Sequence, residues 1–181
     1  KGWALGGEEV RVTSFPLGAF LVEEKGEQFT RGKSPPASLT PEISGAFSPD
    51  ARILATAGSD GTIKFWEPTT GKPLDKLVTG ASCCQHVAFS ADGKWLAVAA
   101  AQDVQLWSVD GRQRDHTFRG HSDYVRSVAF SRDGKTLVSS SSDGTIKLWN
   151  PGDGSVRVTL RGHYGGVSDV AVSPDDKTIA S

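Results

Sequence analysis

The chain has 181 residues, 20 of them basic and 21 acidic, for a net charge of −1 at neutral pH. No Lys/Arg cluster stands out, which argues against a nucleic-acid binder, and no apolar run approaches the roughly 18 residues that cross a bilayer. The two cysteines, Cys83 and Cys84, are adjacent, which is neither a disulfide framework nor a zinc spacing.

Taken in order, the chain opens on a worn segment. Ala4 to Val12 lines up with Val138 to Leu148 further along, two residues short at the turn, and Thr13 falls where Trp149 stands. Phe20-Leu21-Val22 begins a further strand. Thr30 to Glu42 follows, and Pro35, Pro36 and Pro41 cannot donate to a β ladder, so this stretch reads as a surface loop joining two units. A binding loop is the alternative.

From Ile43 onward the chain repeats itself. Ile53 to Trp66 closely copies the corresponding part of the unit Gly120 to Asn150, and both carry a Ser-Asp-Gly turn between two short β-compatible runs. Asp-Gly pairs favour tight hairpins because Gly accepts positive φ at no steric cost. Ala81 to Gly120 is a full but eroded copy. Val98 replaces the strand Ser, the turn before Trp107 is one residue shorter, and Ala81 follows Gly80 where a His is expected. Cys84 falls where Val125 falls, so it reads as a small buried residue on a first strand, with Cys83 on the loop side.

His121 to Gly162 is the best-kept copy: Tyr124 to Phe130, Leu137 to Ser141, Thr145 to Trp149 and Val156 to Leu160 are four strands joined by turns. His163 to Ser181 opens another copy and stops where Ser181 matches Ser139. Phe47-Ser48, Phe89-Ser90, Phe130-Ser131 and Val172-Ser173 recur at spacings of 42, 41 and 42 residues, and Trp66, Trp107 and Trp149 keep the same clock.

A period in the low forties, four short strands per repeat, and a Gly-His plus Trp signature together resemble the WD-repeat β-propeller family. The resemblance implies an all-β fold, a partial propeller of four-stranded antiparallel blades of about 42 residues each. It divides the chain into a degenerate partial blade (1–32), three blades (33–80, 81–120, 121–162) and the start of a further one (163–181). Family members usually close with six to eight blades. The chain begins at Lys1, contains no Met, and holds about four blades' worth of sequence. It therefore reads as part of a longer ring, with the remaining blades on the same chain; pairing with a second copy is the alternative. The repeat style resembles bacterial members, in which such propellers are often joined to a kinase or another catalytic domain.

Ser139, His121 and Asp143 imitate a catalytic triad. In WD repeats, however, the Gly-His histidine, a strand Ser or Thr, the turn Asp and the Trp form a structural hydrogen-bonded chain. Carried over, that chain is His121, Ser139, Asp143 and Trp149 in the best blade, and Thr56, Asp60 and Trp66 in the first. Only Trp107 remains in the second, and His163 opens the last. The blade of His121 is thus expected to be the most rigid and that of Trp107 the least.

No phosphate loop, HExxH or zinc spacing occurs, and the Asp-Gly pairs lack a calcium ligand series. His86 and His116 are scattered. No catalytic residue, cofactor or metal is expected, so function is expected to lie in the surface. The resemblance places Asp123, Tyr124, Arg126 and Ser142 on the loop face, with Ser59, Ser82, Cys83 and Tyr164 contributed by neighbouring blades. Tyr and Arg often anchor interfaces. The expectation is a non-enzymatic, cytoplasmic interaction module that docks a protein or peptide, with no nucleic acid and no membrane insertion. The alternatives are a sensory domain of a larger enzyme or a channel-sited enzyme.

Overall fold

The computed structural model describes residues 42–181 together with two short strands ahead of them, β1 (Val12–Ser14) and β2 (Phe20–Val22). The worn first segment and the proline-rich loop otherwise lie outside the described residues. Three four-stranded antiparallel units follow, each laid down in chain order. Blade 1 is β3 (Glu42–Phe47), β4 (Leu54–Gly58), β5 (Thr62–Glu67) and β6 (Lys72–Val78). Blade 2 is β7 (Cys84–Phe89), β8 (Trp95–Ala100), β9 (Asp103–Ser108) and β10 (Arg114–Phe118). Blade 3 is β11 (Val125–Phe130), β12 (Leu137–Ser141), β13 (Ile146–Trp149) and β14 (Val156–Leu160). A two-stranded start, β15 (Ala171–Val172) and β16 (Ile179–Ala180), comes last. The β1–β2 hairpin joins the sheet of blade 1 through one pair, Phe20 opposite Glu42.

Turn chemistry repeats as faithfully as the strands. After each first strand, a Ser hydroxyl donates to the Asp two residues on and accepts the N–H five residues on. This occurs at Ser48–Asp50, Ser90–Asp92, Ser131–Asp133 and Ser173–Asp175, with Oγ to Oδ1 distances of 2.6, 2.6, 2.7 and 2.6 Å. These turns satisfy their own backbone, as buried or bent chain requires. At the opposite end of the strands, Gly61 turns with φ of 77°, and a Cβ there would sit 2.1 Å from the Ala81 carbonyl oxygen. Only glycine fits that approach.

The core lies between sheets. Ile63, Phe65 and Leu77 of blade 1 pack with Val87, Val98 and Trp107 of blade 2. Val104 and Phe118 of blade 2 pack with Val128, Leu137 and Trp149 of blade 3, with Phe118 edge-on to Trp149 at 5.6 Å between centroids. Each blade thus buries one face against its neighbour, which is how a stacked repeat builds a continuous core. Arg112 adds a tie between blades 1 and 2. Its guanidinium lies 3.8 Å over the Phe65 ring and its Nε is 3.6 Å from Asp75. It does this from a left-handed turn position, φ 51°, where the neighbouring blades carry Gly71 and Gly154.

Backbone bonds on the loop face run within blades 2 and 3 and also from each of them to the next blade. Ala101 N–H donates to Cys83 O at 3.1 Å, and Val125 N–H donates to Ala101 O at 2.7 Å. Ser142 N–H donates to Tyr124 O and Val167 N–H donates to Ser141 O, each at 2.9 Å. Nearer the first strands, His86 Nδ1 accepts Val128 N–H at 3.4 Å and Ser127 Oγ donates to Asp169 at 2.6 Å.

Candidate functional site

His121 enters blade 3 from the loop before β11, and Asp143 sits on the turn between β12 and β13. Their side chains meet, with Nδ1 2.9 Å from Asp143 Oδ2, while Nε2 is 2.8 Å from Ser139 Oγ. Trp149 Nε1–H donates to the same Ser139 Oγ at 2.8 Å. One assignment satisfies every atom: Nδ1–H donates to Asp143, and the Ser139 hydroxyl donates to Nε2 while accepting the indole. The imidazole is therefore neutral. Burial lowers its pKa, outweighing the pull of Asp143 towards the cation. Burial raises the pKa of Asp143, but bonds from Thr145, the Ser122 N–H and His121 prevail and hold its carboxyl well below the usual range.

This constellation cannot act as a triad. The His121 and Asp143 side chains are 1% and 7% exposed, and Ser139 is fully buried with its hydroxyl committed to both neighbours. A nucleophile needs substrate access and an oxyanion site beside it. What the four groups can do is fasten the incoming loop to the second and third strands, since a fully satisfied buried network rigidifies its surroundings.

The other blades vary the theme. In blade 1, Trp66 Nε1–H donates to Thr56 Oγ1 at 2.9 Å, and Asp60 accepts the N–H and hydroxyl of Thr62. In the last, His163 Nε2 is 2.8 Å from Ser181 Oγ. Blade 2 has a substitute that sequence comparison missed. Gln105 accepts Trp107 Nε1–H at 3.0 Å and donates to Thr79 O at 3.2 Å. Its one visible signal is that Gln105 stands two residues before the Trp, where Lys64 and Lys147 stand in the other blades. Cys84 is fully buried and Cys83 half-buried.

On the loop face, the first strands of blades 1, 2 and 3 carry a bulge at the same point, skipping Ile43, Gln85 and Arg126. A bulge re-aims the extra side chain. In blade 3 this puts Arg126 Nε 2.6 Å from Ser142 Oγ, with its guanidinium 6.0 Å from the Tyr124 ring centroid. Asp123 Oδ1 accepts Tyr124 N–H at 2.7 Å. Asp123, Tyr124, Arg126 and Ser142 are therefore brought together. Ser82 joins them along a recess that it lines with Tyr124. Cys83 contributes its carbonyl to Ala101. Ser59 lies on the turn between β4 and β5, and Tyr164 is fully exposed on the approach to β15.

Among the described residues, no group of three or more His, Cys, Asp or Glu could hold a metal ion, and no helix is long and apolar enough to cross a membrane. Comparison with known proteins agrees with the sheet architecture. A solved structure of U3-55K superposes with a TM-score of 0.69 at 28% identity, covering 75% of this chain and 43% of that one. The small ribosomal subunit protein RACK1y of Oryza sativa subsp. japonica is 35% identical over 111 residues, which is 58% of this chain and 33% of that protein. The target of rapamycin complex subunit LST8 of Saccharomyces cerevisiae is 38% identical over 100 residues, 54% of this chain and 33% of that protein. The chain thus spans about a third of the length of these curated relatives. The model for the WD domain, G-beta repeat matches residues 38–67, 112–150 and 153–181, more than half of the sequence. The chain belongs to the WD domain, G-beta repeat family, and its four-stranded sheets are blades of that family's propeller.

Proposed function

We propose that this chain is a non-catalytic interaction module, part of a larger propeller protein, that docks a protein or peptide on its loop face. The observation that carries the reading is the Tyr124–Arg126–Ser142 group. A large aromatic and a guanidinium stand side by side on a surface, and the Arg is already fixed by a 2.6 Å bond and a bulged strand. Pre-ordered anchors of these residue types contribute disproportionately to binding because little side-chain entropy remains to be lost. Two relatives support it by name: one is a ribosomal subunit protein and the other a subunit of a complex. The sealed state of Ser139, His121 and Asp143 supports the non-catalytic part.

The test compares three forms of the chain as bait in quantitative affinity capture: wild type, Tyr124→Ala/Arg126→Ala, and Lys135→Ala. Lys135 lies on the turn between β11 and β12, at the opposite end of the strands. The proposal expects a defined set of proteins retained by wild type and by the Lys135 variant and lost with the double variant. Identical retention by all three would refute it.

A further inference from the structure

Blade 2 lacks the imidazole that closes blade 3. Gly80-Ala81 stands where Gly120-His121 stands, so a methyl group replaces the ring. Gln105, which takes over the indole bond, turns its amide nitrogen to the Thr79 carbonyl. What remains is an open recess of about 650 Å³ between the loop that enters blade 2, the turn after β8 and the outer strand β10. That volume lies within the range of ligand pockets.

Its wall is charged and polar. Arg114 and Arg119 line it from β10 and just beyond, Gln102 and Asp103 from the turn, Gln105 from within, and Tyr124 from the side of blade 3. Arg114 is fixed in place: Nη1 donates to Thr79 O at 3.3 Å and the guanidinium lies 5.9 Å from the Trp107 ring centroid. The Arg119 side chain is 80% exposed and meets Asp103 through a 3.6 Å ion pair at Nε. Two guanidinium groups against one carboxylate leave a positive excess. Tyr124 makes the recess continuous with the Tyr124–Arg126 pair.

We propose that this recess receives an acidic side chain, a Glu or Asp of the peptide partner that lies across the loop face. The proposal rests on the interaction reading above and adds the charge of what is bound. Arg119 donates to the incoming carboxylate in exchange for its long contact with Asp103, and fork-shaped donors suit a carboxylate. Asp103 then acts as a repulsive neighbour that weakens binding.

The test titrates the isotope-labelled chain with acetyl-Glu-Glu-amide and with acetyl-Gln-Gln-amide at low salt, following backbone amide shifts. Saturable shifts are expected at Gly80, Ser82 and Gln102, with the Gln probe weaker by about twofold to fivefold, the range for one exposed ion pair. Arg119→Ala should weaken the Glu probe by a similar factor, and Asp103→Asn should tighten it. Equal response to the two probes, shifts scattered over the surface, or indifference to Arg119→Ala would overturn the proposal. If the capture pattern above holds while the Glu probe fails, the recess alone is refuted. If the Glu probe binds and capture ignores Tyr124 and Arg126, the interaction reading is refuted instead.

Discussion

Replacing Trp149 by Ala should cost this chain more than replacing Trp107, although both tryptophans occupy the same place in their repeats. Trp149 is fully buried, edge-on to Phe118 at 5.6 Å and to His121 at 6.0 Å, and it donates to a hydroxyl that has nowhere else to turn. Truncating such a ring costs about 3–5 kcal/mol, and the orphaned acceptor on Ser139 adds about 1 kcal/mol. Trp107 is 7% exposed, and its partner Gln105 lines an open recess where water can replace the indole. Its loss falls near the lower end of the same range, even with the cation–π contact of Arg114 included, so the two variants should differ by about 1–2 kcal/mol. Urea unfolding followed by circular dichroism reads this as a lower midpoint for Trp149→Ala at similar slope. Equal midpoints, or a lower one for Trp107→Ala, would refute the assignment of blade 3 as the firmer unit.

Acid should weaken the fold in two steps. Burial holds both His121 and His86 below the ordinary imidazole value of 6.5, so their contribution is complete above that pH and is lost as pH falls beneath it. The drop in urea midpoint from pH 7 to 5 should shrink in His121→Asn and shrink further with His86→Asn added. Asp143 is held below its ordinary value of 3.8, so its share is present above that pH and fades at lower pH, a second step that Asp143→Asn should reduce. Arg112→Ala and Arg112→Gly both remove the contact with Phe65, but only glycine relieves the left-handed backbone. The Gly variant should therefore be the more stable by about 1 kcal/mol, measured by the same unfolding assay, and the reverse order would count against strain at this turn.

The repeats, their strands and their phase were legible because each strand ends at residues that dictate a turn. Ile146–Trp149 begins one residue later than the Thr145 expected from pattern, and Val125–Phe130 one later than Tyr124, because Thr145 and Tyr124 belong to the hydrogen-bonded loop ends. Gln105 was not legible. Its function depends on where Thr79 O lies, and that is set by the path of the preceding loop. The aim of Arg126 was equally hidden, since a bulge leaves no composition signal in a strand of ordinary β-formers. The Ser-x-Asp turns were visible as recurring letters, but their bonds were not, and the Phe-Ser pairs marked phase without showing that Ser organises the bend.

The backbone bonds between blades give the loop face a mechanical character. Ala101 gives its N–H to the loop entering blade 2 and its carbonyl to Val125, the first residue of β11 in blade 3. A push on the turn after β8 is therefore handed to the neighbouring blade across one 2.7 Å bond, with no compliant side chain between. One blade further on the two bonds fall on neighbouring residues, Ser142 giving its N–H to Tyr124 O and Ser141 O receiving Val167 N–H. The loop face consequently behaves as a jointed hoop, in which whatever grips the recess of blade 2 also sets the position of Tyr124.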